Sequence, residues 1–227
     1  MQLTTLIPKF DKLQLKHGDG AYSAIYGAGQ TNNPDICFVY MNPTARNVSA
    51  SKDWKGIRAA WLGTKHVWKL YAKLGLLSPS TLNKIQELSP AQWNPDFASK
   101  LYTEVSSNNY YITNLAKCTQ ADARPLRNTV FRDYLQLMHH EIESINPKTI
   151  ITFGNQVSSI LLGRPISVSK TRKKAFPLTI KAKEYQVYPV YYPVGQGMRN
   201  MPRAVEDIRW IMRGVSYTSH PSPKKNP

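Results

Sequence analysis

Apolar positions fall at helical spacing in some stretches of this chain and in unbroken runs in others, and the alternation between the two predicts its elements. Leu3, Leu6, Ile7, Phe10, Leu13 and Leu15 are loosely helical and close at Gly18-Asp19-Gly20, which predicts a packing helix within residues 1–20. Ile36, Cys37, Phe38, Val39 and Tyr40 show no alternation. A continuous run of strand formers of that length fits a strand buried on both faces of a parallel sheet. Val67, Leu70, Tyr71 and Leu74 return to helical spacing with Gly75 as the stop. Residues 79–107 hold one or two short helices, with turns at Ser89-Pro90 and Asn94-Pro95. A second strand, Tyr110-Tyr111-Ile112-Thr113, ends at Asn114. Residues 126–145 form the clearest helix, with Phe131, Leu135, Met138, Ile142 and Ile145 on one stripe. The third strand, Thr149–Phe153, turns through Gly154-Asn155 into a helix over 157–162. The fourth covers 185–191 and precedes a last helix over 204–212.

Strands alternating with helices predict an α/β fold, here a three-layer α/β/α sandwich with a central, mainly parallel four-stranded sheet. Residues 1–213 read as one domain. Residues 214–227, rich in Ser, Pro and Lys, lack the apolar side chains to pack and read as a disordered basic tail. Ligands of open α/β sheets bind beyond the carboxyl ends of the strands. Three polar turns stand there: Met41-Asn42-Pro43-Thr44, Thr113-Asn114-Leu115-Ala116-Lys117-Cys118, and Tyr192-Pro193-Val194-Gly195-Gln196-Gly197-Met198-Arg199-Asn200. Asn42-Pro43 taken alone is ordinary turn chemistry. The first turn opens into a polar, basic loop over 44–63 that nevertheless contains Trp54 and Trp61, and long loops at strand ends commonly carry function.

Charge narrows the partner. Thirty Lys and Arg against 14 Asp and Glu give 227 residues a formal charge of +16, which favours a polyanion, and 11% aromatic residues supply faces for base stacking. Nucleic acid satisfies both features; a hydrolase of free nucleotides would have no use for so large a basic excess. Two cysteines, Cys37 and Cys118, make neither a disulfide framework nor a four-thiolate cluster. No leader-like segment follows Met1 and no window approaches 18 apolar residues, so the chain reads as soluble and cytoplasmic, with no membrane partner. His139 and Glu143 share a helix face at i, i+4, but no third ligand lies near them in sequence. They read as a solvated face together with His140 and Glu141, and no metal is expected.

The three strand-end turns together resemble the uracil-DNA glycosylase superfamily. Met41-Asn42-Pro43-Thr44 is similar to the water-activating motif of the mismatch-specific and single-strand-selective branches, and Val67-Trp68-Lys69-Leu70-Tyr71 with Gly75-Leu76 resembles the helix that follows it. The second and third turns, and residues 147–163, look more like the thermophilic iron-sulfur branch. The resemblance implies a DNA glycosylase that flips a nucleotide and hydrolyses the bond between a deaminated base and deoxyribose. It implies catalytic roles for Asn42, as water-orienting amide, and for Tyr192, which stands where most branches carry a base-recognising His. It places Met41, Thr44 and Asn114 at the base, with Trp54 or Trp61 stacking on it. Asn114 as a turn cap and Tyr192 or Trp61 as core residues remain the alternatives. DNA contacts are expected from Met198 as wedge, from Arg199, from Lys117 and from Lys170 and Arg172 in the basic loop 167–176, which has no His. Only Cys118 matches a cluster cysteine, so no iron-sulfur cluster and no other cofactor is expected, and the enzyme is expected to be a monomer. A catalytically inactive nucleic-acid-binding member of the same fold is the alternative. His220-Pro221-Ser222-Pro223 matches a family motif in letters, but it lacks the preceding strand and following helix and reads as coincidence.

Overall fold

Prolines and side-chain caps set several of the helix starts. The computed structural model describes residues 2–214. A 3-10 turn over Leu3–Leu6 leads into α1 (Ile7–His17), with Pro8 in the first turn, where a missing N–H costs nothing. Leu15 breaks the expected stripe: it is 85% exposed, and Gln14 is buried instead. The Gln14 amide donates to the carbonyls of Asp19 and Tyr22 and accepts from the Thr119 N–H, so a polar side chain satisfies three backbone groups inside.

After β1 (Ala28–Gly29) comes β2 (Ile36–Tyr40), buried at every position. Three helices follow: α2 (His66–Lys73), α3 (Pro79–Glu87) and α4 (Pro95–Ser107). Ser78 and Asn94 cap the last two by accepting from the N–H groups of Thr81 and Phe97. Next are β3 (Tyr110–Asn114), α5 (Asn128–Ile145), β4 (Thr149–Phe153) and α6 (Asn155–Leu161). An antiparallel pair, β5 (Phe176–Ile180) and β6 (Lys183–Val190), precedes α7 (Met201–Gly214). The expected tail begins inside α7, and residues 215–227, with the His220-Pro221-Ser222-Pro223 stretch, lie outside the described residues.

The sheet has six strands in the order β1-β3-β2-β4-β6-β5, not four. Its four central strands are parallel, as the alternation predicts, and β1 and β5 close the edges antiparallel. Both edge strands escape a reading by pattern for physical reasons. β1 is two residues long, and β5 contains Pro177, which a strand tolerates only where one side makes no ladder bonds.

Alternate residues of β2 face two separate cores. Ile36, Phe38 and Tyr40 pack with side chains from α2, α3, α4 and α7; Cys37 and Val39 pack with α1, α5 and α6. The layers are therefore α/β/α. Phe38 sits among the rings of Tyr71, Tyr110 and Phe153 at centroid distances of 5.2, 5.8 and 6.0 Å, which fixes the middle of the sheet against one helical layer. Among the described residues no helix is long and apolar enough to cross a membrane.

Candidate active site

Parallel strands bring their carboxyl ends to one edge, so Tyr40, Asn114, Phe153 and Val190 finish side by side. Tyr40 pairs with Asn114, and beyond that pair the two chains stay tied. Leu115 donates to the Tyr40 carbonyl at 2.8 Å and Ala116 to the Met41 carbonyl at 3.0 Å. Gln120 donates to Pro43 and receives from Ala45, which extends the seam past both turns.

A cavity of about 490 Å³ opens over this seam. Asn42, Thr44, Trp61, Asn114 and Tyr192 all line it. The Asn42 Nδ2 donates to the Pro43 carbonyl at 3.0 Å, which orients the amide and leaves Oδ1 as an unengaged acceptor. Asn114 is 2% exposed, yet its side-chain amide makes no hydrogen bond among the described residues, so donor and acceptor are both open to the cavity. A turn cap would have spent that amide on the backbone.

Trp61 is held in the left-handed region at φ 67°, a conformation that costs a bulky side chain about 1–3 kcal/mol and persists only when its surroundings enforce it. The enforcing bonds are visible: the Trp61 carbonyl accepts from Trp68 Nε1, Thr64 Oγ1 and the Thr64 N–H. Its ring stands edge-on to the buried Tyr40 at 4.8 Å, so the indole packs against the core and lines the cavity as well. Tyr192 packs edge-on to Tyr40 at 6.3 Å, and burial pushes its hydroxyl up to about 12. Gly197 permits this placement: a Cβ there would lie 2.1 Å from the Tyr192 carbonyl, so only glycine lets the following turn fold back.

The remaining expected residues are distributed as follows. Met198 (47% exposed) and Arg199 sit on the 3-10 turn Gly195–Asn200, whose first residue lines the cavity, and Arg199 makes no ion pair among the described residues. Lys170 is exposed at the end of the turn Val168–Lys170. Four other expectations require correction. Met41 does not line the cavity: its side chain packs against the α1/α5/α6 core, and only its carbonyl reaches the seam. Trp54 does not line it either, because its indole N–H closes a local turn onto the Ile57 carbonyl at 2.9 Å. Arg172 is not free to meet a phosphate, since its guanidinium holds both oxygens of the buried Asp207 and one of Glu206, which raises its already high pKa. Lys117 is fully buried and ion-paired to Glu141 at 2.6 Å, and so is neither a DNA contact nor a surface residue.

Sequence reasoning passed over Arg46, Lys65 and His66, which stand around the cavity with no carboxylate among the lining residues. It also passed over Asn47, whose buried amide bonds Ala59, Ser49 N and Ser49 Oγ and so staples the long loop. The Asn-x-Ser spacing is the signal that could have found it.

Cys37 and Cys118 are both buried in the α1/α5/α6 core, burial raises both thiols, and among the described residues no three His, Cys, Asp or Glu side chains converge on a metal position. These residues do not fit a cluster.

Comparison with known proteins gives the family. The chain is 30% identical over 119 residues to a Type-4 uracil-DNA glycosylase of Saccharolobus solfataricus, a match covering 49% of this chain and 55% of that relative. The chain thus spans about half the length of the curated relative it matches. The family profile described as Uracil DNA glycosylase superfamily matches residues 26–223, a span that takes in all four parallel strands and every residue lining the cavity. With strand ends, cavity and profile all coinciding, the chain belongs to the uracil DNA glycosylase superfamily.

Proposed function

We propose that this protein is a monofunctional, monomeric DNA glycosylase that removes uracil or a related deaminated base in base excision repair. The observation that carries this reading is the convergence of one unengaged amide oxygen, Asn42 Oδ1, and one wholly unengaged amide, that of Asn114, on one cavity at the carboxyl edge of the sheet. A flipped nucleotide places its base in that cavity, where Asn114 pairs with the polar edge, Trp61 stacks on the face and Thr44 borders the ring. Asn42 orients a water at the sugar carbon. The water oxygen bonds to that carbon as the carbon–nitrogen bond breaks, the electron pair leaves with the base, and the water's proton passes to solvent. An amide is no strong base, so the rate depends on stabilising the departing anion. A cavity lined by Arg46, Lys65 and His66 and by no carboxylate suits that task. Met198 fills the vacated stack, and Arg199 and Lys170 hold phosphates. No cluster or other cofactor takes part.

Incubation with a uracil-containing oligonucleotide followed by alkali tests the reading, with thymine mismatches, hypoxanthine and xanthine as comparison bases. Strand scission supports it; an intact strand with tight DNA binding favours the non-catalytic alternative, which the weakly acidic Tyr192 at the His position otherwise recommends.

Two further outcomes are expected. DNA affinity falls linearly with salt on logarithmic axes, with a slope of about −0.9 per neutralised phosphate. Lys170→Ala and Arg199→Ala each reduce that slope by about 1. A flat dependence between low and physiological salt contradicts the assignment. Tyr192→Phe slows excision about 3- to 10-fold, the scale of one net hydrogen bond. Because burial raises this hydroxyl to about 12, it remains protonated and able to donate below that pH, so the wild-type rate shows no loss from Tyr192 ionisation up to about pH 10, the ordinary tyrosine value. A descending limb below that pH that disappears in Tyr192→Phe would contradict this.

A further inference from the structure

A fully buried ion pair lies beneath Asn114, the residue proposed to read the base. Lys117 is fully buried, and Nζ lies 2.6 Å from Glu141 Oε2 and 2.6 Å from Thr113 Oγ1. The same amine donates to the backbone carbonyl of Asn114. Glu141 Oε1 accepts from Tyr111 and Thr113 at 3.0 and 2.8 Å, so one carboxylate on α5 gathers three inward groups of β3 and its turn. Gly27 leaves room for this network: a Cβ there would stand 2.2 Å from the Tyr111 hydroxyl and 2.3 Å from Glu141 Oε1.

A buried ion pair is weak grounds for stability, since apolar residues of similar volume commonly do as well. Its distinctive product is direction. β1 pairs with β3 only as far as Ile112, so the Asn114 carbonyl has no strand to supply a donor, and an unpaired buried carbonyl is unfavourable. Lys117 supplies one. From the other side, Leu115 and Ala116 are fixed to Tyr40 and Met41.

We infer that Lys117 and Glu141 form a clamp that fixes the Asn114 backbone and thereby aims its amide into the base cavity, making Lys117 a positioning residue for base recognition. The inference rests on the role proposed for Asn114. Two measurements on the full chain test it with Lys117→Met/Glu141→Gln, which removes both charges together. The first is the side-chain amide signal of Asn114 in ¹H–¹⁵N spectra, identified by its disappearance in Asn114→Ala. The second is single-turnover excision from a uracil oligonucleotide, alone and combined with Asn114→Ala. Expected are a displaced or broadened Asn114 signal, excision slowed by up to about 10²-fold at unchanged DNA affinity, and no further slowing in the Asn114→Ala background. An unmoved signal, or effects that multiply with Asn114→Ala, overturns the clamp. Thr113→Val, which retains the ion pair but cuts its hydroxyl bridge, gives a smaller shift in the same signal and serves if the double variant does not fold. A wild type that excises no base overturns the proposed function, while the amide signal still decides the clamp.

Discussion

Asn42→Ala slows base release by roughly 10²- to 10³-fold, the scale of losing one preorganised electrostatic group at a reacting centre. DNA affinity barely changes. The separation follows from where the amide stands: its Nδ2 is spent on the Pro43 carbonyl and the residue lines the cavity, which in the proposed complex holds the base rather than a phosphate. Phosphate contacts supply most of the binding free energy, whereas a water-orienting amide acts on the transition state. Single-turnover excision and equilibrium binding on one oligonucleotide, with thermal unfolding as the control for folding, measure both sides. A folded Asn42→Ala that excises at the wild-type rate reduces Asn42 to a turn residue.

Lys117→Met alone has the largest expected effect on stability. It leaves the Glu141 carboxylate buried without its counter-charge, a change that costs about 3–5 kcal/mol. For a chain of this length that lowers the unfolding midpoint by roughly 6–20 °C. Glu141→Gln added to Lys117→Met recovers at least half of the loss, because the substituted amide carries no charge and keeps an acceptor for Tyr111 and Thr113. Urea or thermal unfolding of the three proteins checks this. A double variant no more stable than Lys117→Met would show that the lost amine, not the orphaned carboxylate, sets the cost. This comparison complements the spectroscopic test, since stability returns in the double variant while the aim of Asn114 does not.

The sequence by itself determined the parts of this protein that local periodicity specifies. Ile36–Tyr40 is a continuous apolar strand and Thr149–Phe153 a run of β-branched and aromatic residues without a charge, and their boundaries appear because a strand buried on both faces excludes charged side chains throughout. The turns after β2, β3 and β6 were legible for the same reason, since polar residues ending such runs stand out, and Asn42, Thr44, Asn114 and Tyr192 were found there. Trp61 was legible as one of two candidates; that it lines the cavity while Trp54 does not depends on how the long loop folds, which no spacing encodes.

The third dimension decided the charged residues and the edges. Lys117 and Arg172 look like phosphate contacts in a chain of charge +16, but each is paired with a carboxylate on a distant helix, Glu141 on α5 and Asp207 on α7. Glu141 itself falls at i+3 from Met138, on the buried stripe rather than the solvated face, and only a partner elsewhere in the chain makes a carboxylate acceptable there. Pro177 argues against a strand until an edge position relieves it of half its hydrogen bonds. A residue's hydrophobicity is its own property and repeats along the chain. The partner that neutralises a charge, or the side of a strand left unpaired, depends on contacts between residues far apart in sequence, and only the folded chain brings these together.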